Sequence, residues 1–154
     1  MDIKELYQEI VLDHGKNPRN KNKCKDFNKD AKGHNPLCGD KVHVYAKLDK
    51  EKKVEDISFE GEGCAISIAS ASIMTEVIKG KEFNVAKKIL EHFLNMLKEG
   101  SKISINSLSE NENTTMMSLS GVKRFPMRVK CATLAWHTFL HAAEDNKKTV
   151  NTEK

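Results

Sequence analysis

The sequence predicts an α+β fold on three observations. An amphipathic stretch opens the chain, two alternating segments follow it, and the remainder is dominated by helical periodicity. With 154 residues the chain suits one compact unit. We expect a single domain over residues 1–144 and a polar, solvated tail over 145–154.

Residues 2–14 read as a helix, because Ile3, Leu6, Tyr7, Ile10 and Val11 recur on one helical face, with Gly15 and Pro18 ending it. His14 near that end fits a cation at the negative pole of the helix dipole. Residues 16–35 are rich in lysine and asparagine, lack a period and read as a long loop. Val42, Val44, Ala46 and Leu48 then alternate as a strand does. After the polar turn at Asp49–Lys52, Val54, Ile57 and Phe59 suggest a returning strand whose alternation falters at Asp56. A helix is expected from about Ser67 to Lys79, stopped by Gly80. Asn84 can cap the next one, with Ala86, Ile89, Leu90, Phe93, Leu94 and Leu97 as its buried stripe and Gly100 as its stop. Residues 101–122 give only a brief alternation at Ile103 and Ile105, followed by a polar patch from Ser109 to Thr115. Pro126 opens a last helix, which carries Ala132, Ala135, Trp136, Phe139, Leu140 and Ala143 on one face.

Composition narrows the function classes. Twenty-six basic residues against 22 acidic ones leave a net charge of +4, spread along the chain with no basic motif or aromatic platform, so nucleic acid is not an expected partner. No stretch approaches the ~18 apolar residues of a membrane span, and the acidic start does not read as a signal peptide. We therefore expect a cytoplasmic protein with no membrane partner, whose four cysteines sit in a reducing compartment as ligands, catalysts or buried hydrophobes rather than disulfides.

Cys38, Gly39 and Asp40 stand immediately before the first strand, Cys64 just ahead of a helix and Cys131 near the start of the last helix. If the strand reaches back to Cys38, the side chains of Cys38 and Asp40 point to one side. Helix N-termini favour thiolate over thiol at Cys64 and Cys131, and Arg128 and Lys130 act in the same sense. Together Cys38, Asp40, Cys64 and Cys131 would offer three sulfurs and one oxygen, a set that suits zinc or iron–sulfur chemistry. The bland alternative is that the cysteines are small buried hydrophobes, and for the isolated Cys24 a non-ligand role is favoured. His34 is a candidate to support the ligands from behind. His137 and His141 have the spacing of a helical metal pair, but Thr138 stands where a zinc protease needs glutamate, so they read as boundary residues.

Three segments carry a resemblance. GHNPLCGD at 33–40, GEGCAISIASASIMTE at 61–76 and RVKCATLAWH at 128–137, with LYQEIVLDHGKNPRN at 6–20, resemble the U-type iron–sulfur cluster scaffold family over residues 2–143. Within it the chain resembles the SUF-type branch. Lys130 stands where the ISC-type branch has a histidine ligand, residues 101–122 with the following GVKRFPMR look like that branch's insertion, and the Leu-Pro-Pro-Val-Lys motif is absent. The resemblance implies a small antiparallel three-stranded sheet packed against helices, with the metal site at one exposed end. It implies Zn2+ on Cys38, Asp40, Cys64 and Cys131, and Cys38 as acceptor of persulfide sulfur from a cysteine desulfurase. It also implies delivery to a downstream iron–sulfur scaffold or to apo-protein acceptors, or a transient [2Fe–2S] cluster built on Cys38, Cys64 and Cys131. A structural zinc module for protein binding is a further alternative.

Overall fold

The computed structural model describes residues 3–99, 105–145 and 150–151. The opening helix forms in three parts: α1 (Ile3–Leu6), a π-helical stretch over Tyr7–Val11, and α2 (Leu12–Lys16). It passes through Gly15 because the missing side chain lets α2 lie against Ala65; a Cβ at Gly15 would stand 3.2 Å from the Ala65 carbonyl oxygen.

A sheet of order β3-β2-β1-β4 follows, built from β1 (Lys29–Asn35), β2 (Asp40–Leu48), β3 (Val54–Glu62) and the short β4 (Val150–Asn151). The first three are antiparallel, as expected. β1 lies within residues 16–35, where we expected only loop. Its inward positions are Ala31, Gly33 and Asn35, small or polar residues that leave no apolar alternation to read. They are small because a helix lies close above them: a Cβ at Gly33 would collide with Thr138 Oγ1. The faltering of β3 at Asp56 is a register shift, with Lys47 opposite Asp56 but Leu48 opposite Val54. β4 corrects the expectation of a wholly solvated tail: Val150 pairs in parallel with Gly33 and is buried in the core.

Helices cover one face. α3 (Ala65–Ile78) is buried along nearly its whole length, α4 (Phe83–Glu99) presents the expected stripe, and α6 (Pro126–Ala143) starts with Pro126 in its first turn. Trp136 of α6 stacks on Phe93 of α4, and its indole N–H donates to Ser70 Oγ of α3 at 2.9 Å. The polar patch at 109–115 forms α5 (Glu110–Ser118), started by a capping box in which Ser109 and Glu112 bond each other's backbone N–H. Ile103 lies outside the described residues. Among the described residues no helix is long and apolar enough to cross a membrane.

Candidate metal centre

The end of the β1–β2 hairpin begins the site. Asn35 pairs with Asp40, so residues 36–39 form the connecting turn and Cys38 rides on it. The strand does not reach back to Cys38, so strand alternation is not what aligns Cys38 with Asp40; Gly39 turns the chain at φ +71° and brings the sulfur round. Cys38 Sγ lies 3.1 Å from Cys131 Sγ, and the donor atoms of Cys38, Asp40 and Cys131 all lie within 4.8 Å of one another. Cys64 stands beside this group of three rather than within it, with Sγ 4.0 Å from Asp40 Oδ2.

Asp40 is fixed by Cys64, whose N–H donates to its Oδ1 at 2.8 Å. Gly63 makes room for this, since a Cβ there would sit inside the van der Waals radius of Asp40 Oδ1. Cys64 itself caps α3: its sulfur accepts from the Ser67 N–H at 3.4 Å. The hydrogen bond from Cys131 and this N–H pull the Cys64 thiol down to about 6 against the opposing effect of burial. Cys131 goes the other way from what its place in α6 suggested. It lies past the first turn, fully buried, and its hydrogen bond to Cys64, its burial and the neighbouring Asp40 and Cys38 all push its thiol up. Arg128 Nη1 stands 3.9 Å from Cys38 Sγ.

Cys38 and Cys64 are half-exposed, whereas Asp40 and Cys131 are buried. Leu37, next to Cys38 in the chain, and Phe125 and Met127, at the start of the helix that carries Cys131, are exposed. The donor set fits zinc. Three thiols and one carboxylate supply four ligands, and Asp40 is a buried carboxyl group that no lysine or arginine pairs with among the described residues.

Other candidates fall elsewhere. Cys24 is buried far from the cluster, its N–H donating to Ser58 Oγ at 2.8 Å and its thiol pushed up by burial. His34 does not support the ligands; strand alternation puts it on the face opposite Asn35, and Asn35 Nδ2 is what reaches Cys131 Sγ, at 3.5 Å. His137 and His141 are half-buried on α6 and outside the cluster. His14 is not a charged dipole partner. It is buried, shares a hydrogen bond with Ser72 Oγ at 2.7 Å, and is held down to about 4 by burial and by Arg19.

Comparison with known proteins agrees with this geometry. The NifU-like N-terminal domain family matches residues 6–132. The chain belongs to that family. The zinc-dependent sulfurtransferase SufU of Bacillus subtilis is 42% identical over 135 residues, covering 88% of this chain and 87% of the relative. The iron–sulfur cluster assembly scaffold protein IscU of Streptococcus pyogenes is 37% identical, over 91% of this chain and 84% of its own length. Among solved structures, a protein described as a SUF-system cluster assembly scaffold from Fervidobacterium islandicum superposes with a TM-score of 0.77 at 34% identity, covering 90% of this chain and 97% of that one. An N-terminal NifU-like protein of Brucella abortus shares the fold at a TM-score of 0.79 and 22% identity, over 94% of this chain and 96% of that one.

Proposed function

We propose that this NifU-like domain is an iron–sulfur cluster assembly protein that takes persulfide sulfur from a cysteine desulfurase onto Cys38, at a zinc site made by Cys38, Asp40, Cys64 and Cys131. The observation that carries the reading is the close grouping of Cys38, Asp40 and Cys131, with the Cys64 sulfur beside Asp40 and the Cys38 thiol half-exposed on a turn. Likeness to relatives named as a zinc-dependent sulfurtransferase and as cluster assembly scaffolds supports it. Zinc, when bound, keeps its cysteine ligands deprotonated at neutral pH.

The chain's own residues divide the work. Cys38 attacks the terminal sulfur of the partner's persulfide; a sulfur–sulfur bond forms on Cys38 and the partner's cysteine leaves as thiolate. Arg128 places a guanidinium beside the new persulfide anion. Leu37 and Met127, exposed on the segments that carry Cys38 and Cys131, are apolar surface that a docking partner would cover. Reactive thiols of this kind persist in a reducing compartment, which we take to be the cytoplasm. The sulfur then passes to a downstream scaffold or an apo-protein. Assembly of a [2Fe–2S] cluster on the same thiols is the second reading, favoured by the thiol-rich, half-open donor set.

The test is mass spectrometry after incubation with a desulfurase and cysteine. One added sulfur atom on Cys38, lost together with stimulation of the desulfurase in Cys38→Ala, is the expected result. Full stimulation by Cys38→Ala would remove Cys38 from the role. Metal analysis before and after adding ferrous iron separates the two readings, since retained zinc means relay and a coloured cluster in its place means scaffold.

A further inference from the structure

One buried side chain at the floor of the site has no part in the chemistry above. Asn35 lies directly opposite Asp40 in the antiparallel register, so the two side chains enter the site from one face, and both are fully buried. Asp40 is tied to Cys64, and Asn35 is tied to Cys131 through an N–H···S hydrogen bond of 3.5 Å. The other half of the Asn35 amide is stranded: Oδ1 is buried with no hydrogen-bond partner among the described residues. An unpaired buried carbonyl is a liability to the fold, and an alanine at this position would carry none of it. Asn35 therefore contributes something other than stability, and the group it touches is a site sulfur.

The two neighbouring sulfurs are held differently. Cys131 Sγ is fully buried and receives the Asn35 N–H, whereas Cys38 Sγ sits on a half-exposed turn beside the guanidinium of the exposed Arg128. A hydrogen bond donated to a metal-bound thiolate withdraws charge from the sulfur, which makes it a weaker nucleophile, and fixes its direction toward the metal. We propose that Asn35 is a positioning residue that fixes Cys131 as the permanent ligand and thereby leaves Cys38 as the sulfur that exchanges. The proposal rests on the four-ligand reading above.

The experiment compares wild type with Asn35→Ala and with Asn35→Asp, which keeps the shape but removes the N–H donor. In Asn35→Ala, the metal-free protein is expected to unfold at the same denaturant concentration as wild type or a higher one. Zinc affinity, measured by competition with a chromophoric chelator, should fall about 10- to 100-fold in both variants. With cobalt in place of zinc, the sulfur-to-metal charge-transfer band should move to lower energy in both. Unchanged affinity and an unmoved band would overturn the proposal, and so would a destabilised metal-free Asn35→Ala protein with wild-type affinity, which would make Asn35 a packing residue. Wild type that takes up no zinc would overturn the four-ligand reading and this proposal together. Wild type that binds zinc no better than the variants would overturn this proposal alone.

Discussion

Protonation of His14 works against its surroundings. His14 Nδ1 shares a hydrogen bond of 2.7 Å with Ser72 Oγ, which also accepts from the Arg19 N–H at 2.8 Å, and Nε2 faces Glu76 Oε1 at 3.5 Å. Burial first, then Arg19, hold the imidazole down to about 4, with Asp13 opposing, against an ordinary value of 6.5. The unfolded chain thus binds the extra proton between those two values, so stability is complete above about 6.5 and is lost as pH falls toward 4. Midway through that window wild type should have lost about 2 kcal/mol from this residue. Urea unfolding at neutral and at mildly acidic pH checks it. His14→Gln should remove most of the slope, and a wild-type slope retained by the variant would assign the pH dependence elsewhere. In the sequence His14 looked like a helix-end cation, because the partner that decides its state, Ser72, is 58 positions away.

Cys64 shows how one element serves both fold and site. It is the N-cap of α3 and a donor atom of the cluster at once. Serine caps helices well, so Cys64→Ser should leave metal-free stability within about 0.5 kcal/mol while zinc binding weakens severely. Denaturant unfolding without metal and a zinc titration read the two effects separately; collapse of the metal-free fold would show that the sulfur is needed for packing. The elements with strong apolar periods, such as α4 and β2, were legible in the sequence, and so was α6 with its opening proline. β1 was not, because its inward positions are Ala31, Gly33 and Asn35. α5 carried a readable signal, Ser109 followed by Glu112, but in a segment without an apolar stripe. β4 rests on a single buried Val150, and one apolar residue has no period.

The whole molecule is arranged so that the site joins its parts. The β1–β2 turn, the first residue of β2 and the second turn of α6 bring Cys38, Asp40 and Cys131 together, with Cys64 at the start of α3 beside Asp40, so on the proposed reading bound metal would tie the sheet to two helices. Zinc at about 100 times its dissociation constant should raise the free energy of unfolding by about 2.7 kcal/mol, and a chelator should reverse it. A melting temperature indifferent to zinc would mean that the donors do not share one ion. By itself the sequence determined the fold class and named the four candidate donors, because local periodicity and motif residues are written in consecutive positions. Tertiary structure alone decided which way each donor points, which cysteine keeps its proton, and that Asn35 rather than His34 stands behind Cys131. Those properties depend on burial and on hydrogen bonds between segments up to 96 residues apart, and no local pattern encodes them.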